Sequence, residues 1–248
     1  MFRTNIILIS FVLSSSVLAT TVSQISPSNP FVIGLSAGPA WVTGNQTQAI
    51  NLQPDVVKTY TASNQSSTVA SVELFGGWQK AFSSMHQPLL GQLGISIVGA
   101  GNAQLSGDIW EDSDPAFDNF NYTYKVNHTH IAIKGRLVGN YNLVFEPYVS
   151  ASAGLGFNHA YNFTINPKIS EEVAAPGFQS NTTTTFTYSL GIGLQASFTP
   201  HLQAAIGYEF ADWGQVQLAS APGQTINQGL TLNHLYGHEL QLSLFYTV

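Results

Sequence analysis

The chain has 248 residues, of which only 8% are charged and none is cysteine, and its formal net charge is −6. The low charge excludes the surface of an ordinary soluble domain, in which about 25% of residues are charged. The acidic balance argues against nucleic-acid binding, and the lack of cysteine excludes disulfide scaffolds and thiol chemistry. Gly, Ser, Thr, Asn and Gln replace the missing charges, which is typical of a barrel with an uncharged polar interior.

The first nineteen residues have the pattern of a cleavable signal peptide. Arg3 supplies a positive charge, the stretch from Ile6 to Leu13 is apolar, and Val17-Leu18-Ala19 provides the small residue before a cleavage point. We therefore predict a signal peptide at residues 1–19, a periplasmic leader at 20–30 and a single β-barrel domain at 31–248. A buried N-terminal helix or strand is the alternative interpretation of residues 1–19.

Alternation of apolar and polar residues predicts eight strands after the leader. In the first strand Ile33 and Leu35 point to one face while Gly34 and Ser36 point to the other. Pro39 lacks an amide hydrogen, so we expect a bulge or a local irregularity there. The approximate strand ranges are 31–43, 69–82, 89–103, 124–139, 146–159, 184–198, 202–213 and 236–248.

The connections between these strands alternate in length. Long polar stretches lie at about 44–68, 104–123, 160–183 and 214–235, and short turns lie at 83–88, 140–145 and 199–201. Outer-membrane barrels have long extracellular loops and short periplasmic turns. The fold class predicted is therefore all-β: an eight-stranded antiparallel up-and-down transmembrane β-barrel with four long extracellular loops and short periplasmic turns.

Aromatic residues on the apolar face support the same topology. Several are about ten residues apart along one strand, the distance that a tilted strand needs to cross the apolar band of a bilayer. Trp and Tyr rings collect at the two membrane interfaces. The sequence predicts two aromatic belts that include Phe31, Trp41, Trp78, Tyr188, Phe198, Tyr236 and Tyr246.

The last strand carries the residues that resemble a known family. Leu240, Leu242, Leu244 and Tyr246 alternate as in the terminal strand that the outer-membrane assembly machinery reads, although Val248 replaces the usual final aromatic residue. With the pattern of residues 31–248, the chain resembles the small eight-stranded outer-membrane barrels related to the OmpA transmembrane domain and the opacity-type proteins. The resemblance implies a Gram-negative outer-membrane location, contact with membrane lipid and lipopolysaccharide, and insertion by the assembly machinery. Because the sequence stops at the last predicted strand, we expect no tethering of the cell wall.

Ionisable residues also occur at inward positions of the predicted strands. Charges inside a narrow barrel have to be paired or hydrated. We predict an ion network that joins Lys134 or Arg136 to some of Glu73, Glu209 and Glu239. Relatives of OmpA have such networks as plugs or gates, so the resemblance makes this one a candidate gate, and structural filling of the lumen is the alternative.

No pattern in the sequence indicates a catalytic, cofactor or metal site. The carboxylates between Asp108 and Asp118 lack the spacing of an EF-hand, and we expect a solvated acidic loop. His128 and His130 share a strand face, but no third metal ligand is nearby. No serine stands two places from either histidine, so a deacylase-like motif has no support.

Composition and pattern leave four functions open. We favour a structural or surface-interaction (adhesin-like) barrel whose extracellular loops bind a host or surface ligand. A narrow pore or conduit for small solutes is the alternative, although eight strands leave an interior filled by side chains. A lipid-modifying outer-membrane enzyme is less favoured. A soluble lipocalin-like barrel would need apolar residues on the inner face, where the sequence has Gly, Ser and Gln.

Overall fold

The structure, a computed structural model, describes residues 30–54, 56–82, 89–139, 144–169, 176–225 and 229–248. The predicted signal peptide, nearly all of the predicted leader, and residues 83–88 and 140–143 of the predicted turns lie outside these residues. No helix among the described residues is long and apolar enough to cross a membrane. The strands are β1 (Phe31–Thr43), β2 (Gln48–Gln53), β3 (Val56–Ala62), β4 (Ser67–Phe82), β5 (Leu89–Glu111), β6 (Asp118–Gly139), β7 (Glu146–Pro167), β8 (Asn181–Ser197), β9 (Leu202–Asp212), β10 (Val216–Gln217), β11 (Thr231–Leu232) and β12 (Tyr236–Thr247).

Eight of these strands close into a ring, which confirms the predicted fold. Strands β1, β4, β5, β6, β7, β8, β9 and β12 pair antiparallel in chain order, and β12 pairs with β1. Closure pairs each of these strands on both sides and leaves no open edge at the level of the membrane, which a membrane-spanning sheet requires.

The register fixes the width of the barrel. A path of paired residues that starts at Ile33 on β1 crosses all eight strands through Ile133 and Tyr188 and returns to β1 at Thr43. The stagger is therefore 43 − 33 = 10 residues. With about 3.3 Å per residue and about 4.8 Å between strands, eight strands with this stagger tilt by about 40°. Such a barrel has room for side chains in its lumen and little else.

The outer wall carries the apolar residues predicted to face lipid. Leu93, Ile133 and Leu242 are each more than 60% exposed, while their neighbours Gln92, Lys134 and Gln241 are buried in the lumen. This inside-out pattern holds on all eight barrel strands and forms an exposed apolar band. A band of this kind is the lipid-facing surface of an outer-membrane barrel.

Strands β5, β6 and β7 are much longer than the sequence pattern indicated. The prediction that residues 104–123 and 160–183 are loops is wrong for 104–111, 118–123 and 160–167, which continue β5, β6 and β7, and for 181–183, which begin β8. At a tilt of about 40°, strands of 22 and 23 residues extend roughly 30 Å beyond an apolar band of about 25 Å. The β2–β3 hairpin joins this extension, because β3 pairs with the upper part of β5. We call the part of the chain above the apolar band the cap. It comprises the β2–β3 hairpin, the upper ends of β5, β6 and β7 (residues 103–111, 118–127 and 160–167), and the described residues between β7 and β8 and between β9 and β12.

Bulges turn side chains at the base of the cap. Between Ala100 and Ala103, β5 gains one residue relative to β6, so that both alanines are buried. Strand β7 gains one residue relative to β6 at Asn162, whose φ is 53°. An extra residue in the left-handed conformation is a common form of bulge, and it reverses the facing of the residues that follow. At Pro39 the structure has the local irregularity and not the bulge: β1 and β12 keep one register on both sides of it, but the pairs at Gly38 and Pro39 are missing.

Candidate functional site

A buried ion cluster lies in the middle of the lumen, at the level of the membrane. Lys134 Nζ donates hydrogen bonds to both carboxylate oxygens of Glu73 at 2.9 and 2.7 Å and to Oε2 of Glu209 at 2.7 Å. All three side chains are at most 7% exposed. Lys134 is paired with Gly94 in the β5–β6 register, and the backbone of Gly76 and Gly77 on β4 lies close against that glycine. One lysine thus joins strands β4, β6 and β9.

Arg136 lies one inward position below Lys134 and contacts neutral partners. Its Nη1 donates to Gln195 Oε1 at 2.8 Å and to Gln92 Oε1 at 3.3 Å. The guanidinium lies between the rings of Tyr148 and Phe245, at 3.8 and 4.3 Å from their centroids. Stacking on both faces holds the cation without a carboxylate.

A small cavity adjoins this cluster. It has a volume of about 20 Å³ and is lined by Glu73, Lys134, Arg136 and Gln241 among others. Arg136 Nη2 has no hydrogen-bond partner among the described residues. A polar cavity of this size holds about one water molecule, so hydration can satisfy the remaining donor.

Glu239 is placed in the lumen near the other carboxylates but away from the bases. It pairs with Glu209 in the β9–β12 register, and its Oε2 accepts a hydrogen bond from Gln241 Nε2 at 3.3 Å. Among the described residues no lysine or arginine forms an ion pair with it. The structure therefore brings Glu73, Lys134 and Glu209 together and leaves Arg136 and Glu239 beside that cluster.

A histidine layer lies above the ion cluster. His128 Nε2 and His130 Nδ1 are 2.8 Å apart, and His128 Nδ1 lies 2.7 Å from Asn158 Oδ1. Asn158 Nδ2 donates to the carbonyl oxygens of Trp213 and Gln215, both at 2.8 Å. The His128 ring stacks on Trp213 with centroids 4.5 Å apart. The two histidines thus attach the last extracellular segment to the wall at β6 and β7, and the described residues contain no group of three residues arranged to hold a metal ion.

The cap has an apolar core. Its buried residues come from barrel strands, from the β2–β3 hairpin and from the segment between β9 and β12, and they include Ile50, Tyr60, Ile109, Phe120, Tyr122, Tyr124, Trp213, Leu218, Leu230 and Leu235. Rings of Tyr60, Tyr122, Phe163 and Phe178 contact one another with centroids 5.1 to 6.5 Å apart. Burial raises the pKa of Tyr60 and Tyr122 well above the usual range. This core covers the extracellular mouth of the lumen.

The acidic stretch is partly neutralised by lysines that are distant in sequence. Lys168 Nζ lies 2.6 Å from both Asp108 Oδ1 and Asp118 Oδ2, and Lys58 Nζ donates to Glu111 Oε1 at 2.8 Å. The hydrogen bond from Lys58 holds the pKa of Glu111 below its usual range. Spacing along the chain gave no signal for these pairs, because each lysine lies on a different strand or loop from its acid.

The predicted belt residues lie at two levels of the wall. Phe31 packs edge-on against Trp78 with centroids 5.6 Å apart at the turn end of the barrel, where Phe198 and Tyr246 are also exposed. Trp41 and Tyr188 are exposed at the loop end, and Tyr236 is half-buried there.

Sequence reasoning did not identify a histidine–aspartate pair on the cap. His234 Nδ1 lies 2.8 Å from Asp212 Oδ2, and Asp212 Oδ1 accepts a hydrogen bond from the Gly214 amide. The His234 side chain is 57% exposed. A buried carboxylate that orients an exposed imidazole is part of a catalytic triad, but among the described residues no hydroxyl group is hydrogen-bonded to this ring.

Neither a protein-family model nor a curated protein sequence matches the chain. Solved structures that it resembles include Neisserial surface protein A (11% identity, TM-score 0.46, covering 88% of this chain and 97% of that one). Another is the outer membrane protein OprG of Pseudomonas aeruginosa (12% identity, TM-score 0.45, covering 90% of this chain and 98% of that one). A third is the outer membrane protease OmpT of Escherichia coli (9% identity, TM-score 0.46, covering 91% of this chain and 99% of that one).

The geometry of this chain itself determines its location. Only helices and closed barrels satisfy their backbone groups inside a bilayer. A closed eight-stranded ring with an exposed apolar band and a polar lumen is the arrangement of a bacterial outer-membrane barrel. The chain is an eight-stranded outer-membrane β-barrel.

Proposed function

We propose that the protein is a closed surface barrel with an adhesin-like role, in which the cap binds a ligand outside the cell. The observation that supports this most is obstruction of the lumen at two levels. The apolar core of the cap lies over the mouth, and the Glu73–Lys134–Glu209 cluster occupies the centre. The cavity beside that cluster has a volume of about 20 Å³. This volume is too small for a solute path, so a conduit is not favoured.

The form of the cap also favours binding over transport. Extended strands and the β2–β3 hairpin give the extracellular part a packed core beneath its polar surface. A rigid surface loses less conformational entropy on binding than flexible loops do.

Single-channel recording in planar bilayers, together with binding of cells that express the protein to immobilised host-surface ligands, tests this proposal. We expect no discrete conductance from the folded protein and binding that is lost when residues 48–62, the β2–β3 hairpin, are replaced by a short Gly-Ser linker. Discrete conductance in the wild type would contradict closure. Binding that survives the replacement would contradict the role of the cap.

A gated conduit for small ions is the second candidate function, and the shared lysine favours it. Lys134 bonds to two carboxylates at once, so exchange between them could open the middle of the lumen without unfolding. For a gate we expect Lys134→Gln to increase conductance above that of the wild type while gel mobility shows a folded barrel. A silent folded variant would leave the lumen with a structural role.

A further inference from the structure

A polar cleft opens on the outer wall of the cap, beside the bulge in β7. Its volume is about 380 Å³. It is lined by polar residues on three adjacent strands and by two aromatic residues, Tyr124 and Phe163; the polar residues are Gln104, Thr123, Lys125, Asn162 and Thr164. The extra residue in β7 breaks the pairing with β6 between Thr123 and Lys125. The bulge thereby places Asn162 and Phe163, a partly buried ring that packs against the core of the cap, at the lining of the cleft.

An ordered row of polar and aromatic side chains borders this cleft on the membrane side. Tyr161 is paired with Lys125 in the β6–β7 register and donates its hydroxyl to Asn102 Oδ1 at 2.7 Å. The ring of His159 stacks on Tyr161 with centroids 5.2 Å apart, and His159 Nδ1 lies 2.9 Å from Thr182 Oγ1. Aromatic faces beside amide and hydroxyl groups suit the apolar faces and hydroxyl groups of a sugar ring.

The cleft also has a cation available for a ligand. On the described part of the cap, Lys58 and Lys168 are paired with carboxylates, whereas no carboxylate among the described residues pairs with Lys125. A free lysine among neutral hydrogen-bonding groups favours a sugar that carries an anionic substituent, such as a phosphate.

The position of the cleft indicates which anionic sugar reaches it. Thr129 pairs with Phe157, the last strongly exposed aromatic residue of β7 in the apolar band. Lys125 is four residues further along β6, which at a tilt of about 40° places it roughly 10 Å above that level. The headgroup layer begins at the edge of the hydrocarbon core and is about 5 to 7 Å thick on each side of an ordinary bilayer. Lys125 therefore lies outside the hydrocarbon, at the level where a Gram-negative outer leaflet carries the saccharide of lipopolysaccharide.

We infer that this cleft and the row beside it bind the phosphorylated inner-core saccharide of lipopolysaccharide. Lys125 contacts a phosphate, the Gln104 and Asn162 amides contact hydroxyl groups, and Tyr161 with His159 contacts a sugar face. The site lies on the lateral wall and faces the membrane surface, apart from the segments that close the lumen. A lipopolysaccharide molecule bound at this site stays beside the barrel in the outer leaflet.

Calorimetric titration of the full chain, purified in detergent from outer membranes, tests the site. The probe is the phosphorylated core oligosaccharide released from lipopolysaccharide, compared with the same oligosaccharide after enzymatic removal of phosphate. We expect Lys125→Gln to weaken binding of the phosphorylated probe about tenfold, and dephosphorylation to weaken binding to the wild type by a similar factor. The matched control is Lys80→Gln. It removes an exposed lysine on β4 at the turn end of the barrel, far from the cleft, and this variant is expected to bind the probe like the wild type.

Several results would overturn the proposal. They are equal affinity of the wild type and Lys125→Gln, equal loss in the Lys80→Gln control, or competition by inorganic phosphate as strong as that by the oligosaccharide. The comparison of the two oligosaccharides needs no variant, so it stands even if a substitution impairs folding. Conductance of the lumen plays no part in this test, so the proposal and the proposed closed barrel fail independently.

Discussion

The membrane-level lumen and the cap are built from the same strands with opposite chemistry. In the membrane, β6 turns His130 and Lys134 inward and Ile131 and Ile133 outward. In the cap the inward residues are Phe120, Tyr122, Tyr124 and Val126, and the outward residues are Asn121, Thr123, Lys125 and Asn127. Even-numbered residues face inward along the whole of β6, so only the chemistry of the two faces is exchanged.

This exchange shows that the medium outside the barrel wall determines which residues can lie inside it. Lipid accepts the apolar face, so the lumen within the membrane can hold ions and amides. Water surrounds the cap, so its apolar residues have to be buried inside. The two regions should therefore depend on different interactions, and substitutions in each should have different consequences.

Removal of the shared lysine should have the largest effect on the membrane-level region. Lys134→Met leaves Glu73 and Glu209 buried without their cation, and the loss of one partner of a buried ion pair costs about 3 to 5 kcal/mol. Urea unfolding in lipid vesicles, followed by heat-dependent gel mobility, measures this loss of free energy. The matched control is the triple variant with Glu73→Gln and Glu209→Gln added, which should recover most of the stability. A single variant as stable as the wild type would show that the lumen does not depend on this cluster.

A truncation in the core of the cap should cost about as much but act locally. Phe120 is only 2% exposed, and Phe→Ala in a core costs about 3 kcal/mol or more. We expect Phe120→Ala to increase amide hydrogen exchange in β2, β3 and the upper part of β5 while the membrane-level strands stay protected. Phe186, which is 63% exposed, provides the matched control, and Phe186→Ala should leave exchange in the cap unchanged. Uniform exchange over the whole barrel in Phe120→Ala would mean that the two regions unfold as one unit.

The bulge that joins the regions is sensitive to backbone conformation. Asn162 has a φ of 53°, which asparagine tolerates and β-branched residues do not. Asn162→Val should destabilise the upper part of β7 by about 1 to 2 kcal/mol, whereas Asn162→Gly should have little effect. Hydrogen exchange at Phe163 and Ile165 measures the difference. Equal exchange in the two variants would show that the bulge does not require this conformation.

The sequence was sufficient to predict the barrel but only the outline of the cap. Alternation identified all eight strands and their lipid-facing residues, because a single rule applies along the whole apolar band. The rule changes within β6 at about residue 128, where apolar residues move to the inner face, and the alternation of Phe120, Tyr122, Tyr124 and Val126 was the signal for the longer strand. Acidic residues between 108 and 118 obscured that signal.

Contacts in the candidate site depended on geometry that the sequence does not contain. Inward charges followed from alternation, so Glu73, Lys134 and Glu209 could be named as candidates. Which partner each one takes depends on the stagger of the barrel, and the two rings around Arg136 come from β7 and β12. Bulges could not be predicted either, because the extra residues at Ala100–Ala103 and Asn162 interrupt the alternation that strand prediction uses.

The smallest effect expected is on the surface of the cap, at the pair between Lys58 and Glu111. The hydrogen bond from Lys58 lowers the pKa of Glu111 below its ordinary value near 4.5. The pair therefore adds stability above that value and loses it as the pH falls through the lowered pKa. Because both side chains are partly exposed, the contribution is at most about 1 kcal/mol. Amide exchange of Thr59 and Thr61, which lie on the β3 strand beside Lys58, should increase relative to β7 between about pH 6 and about pH 3 after correction for intrinsic rates. Lys58→Met should remove most of that pH dependence, and an unchanged dependence in this variant would mean that other acids of the cap control it.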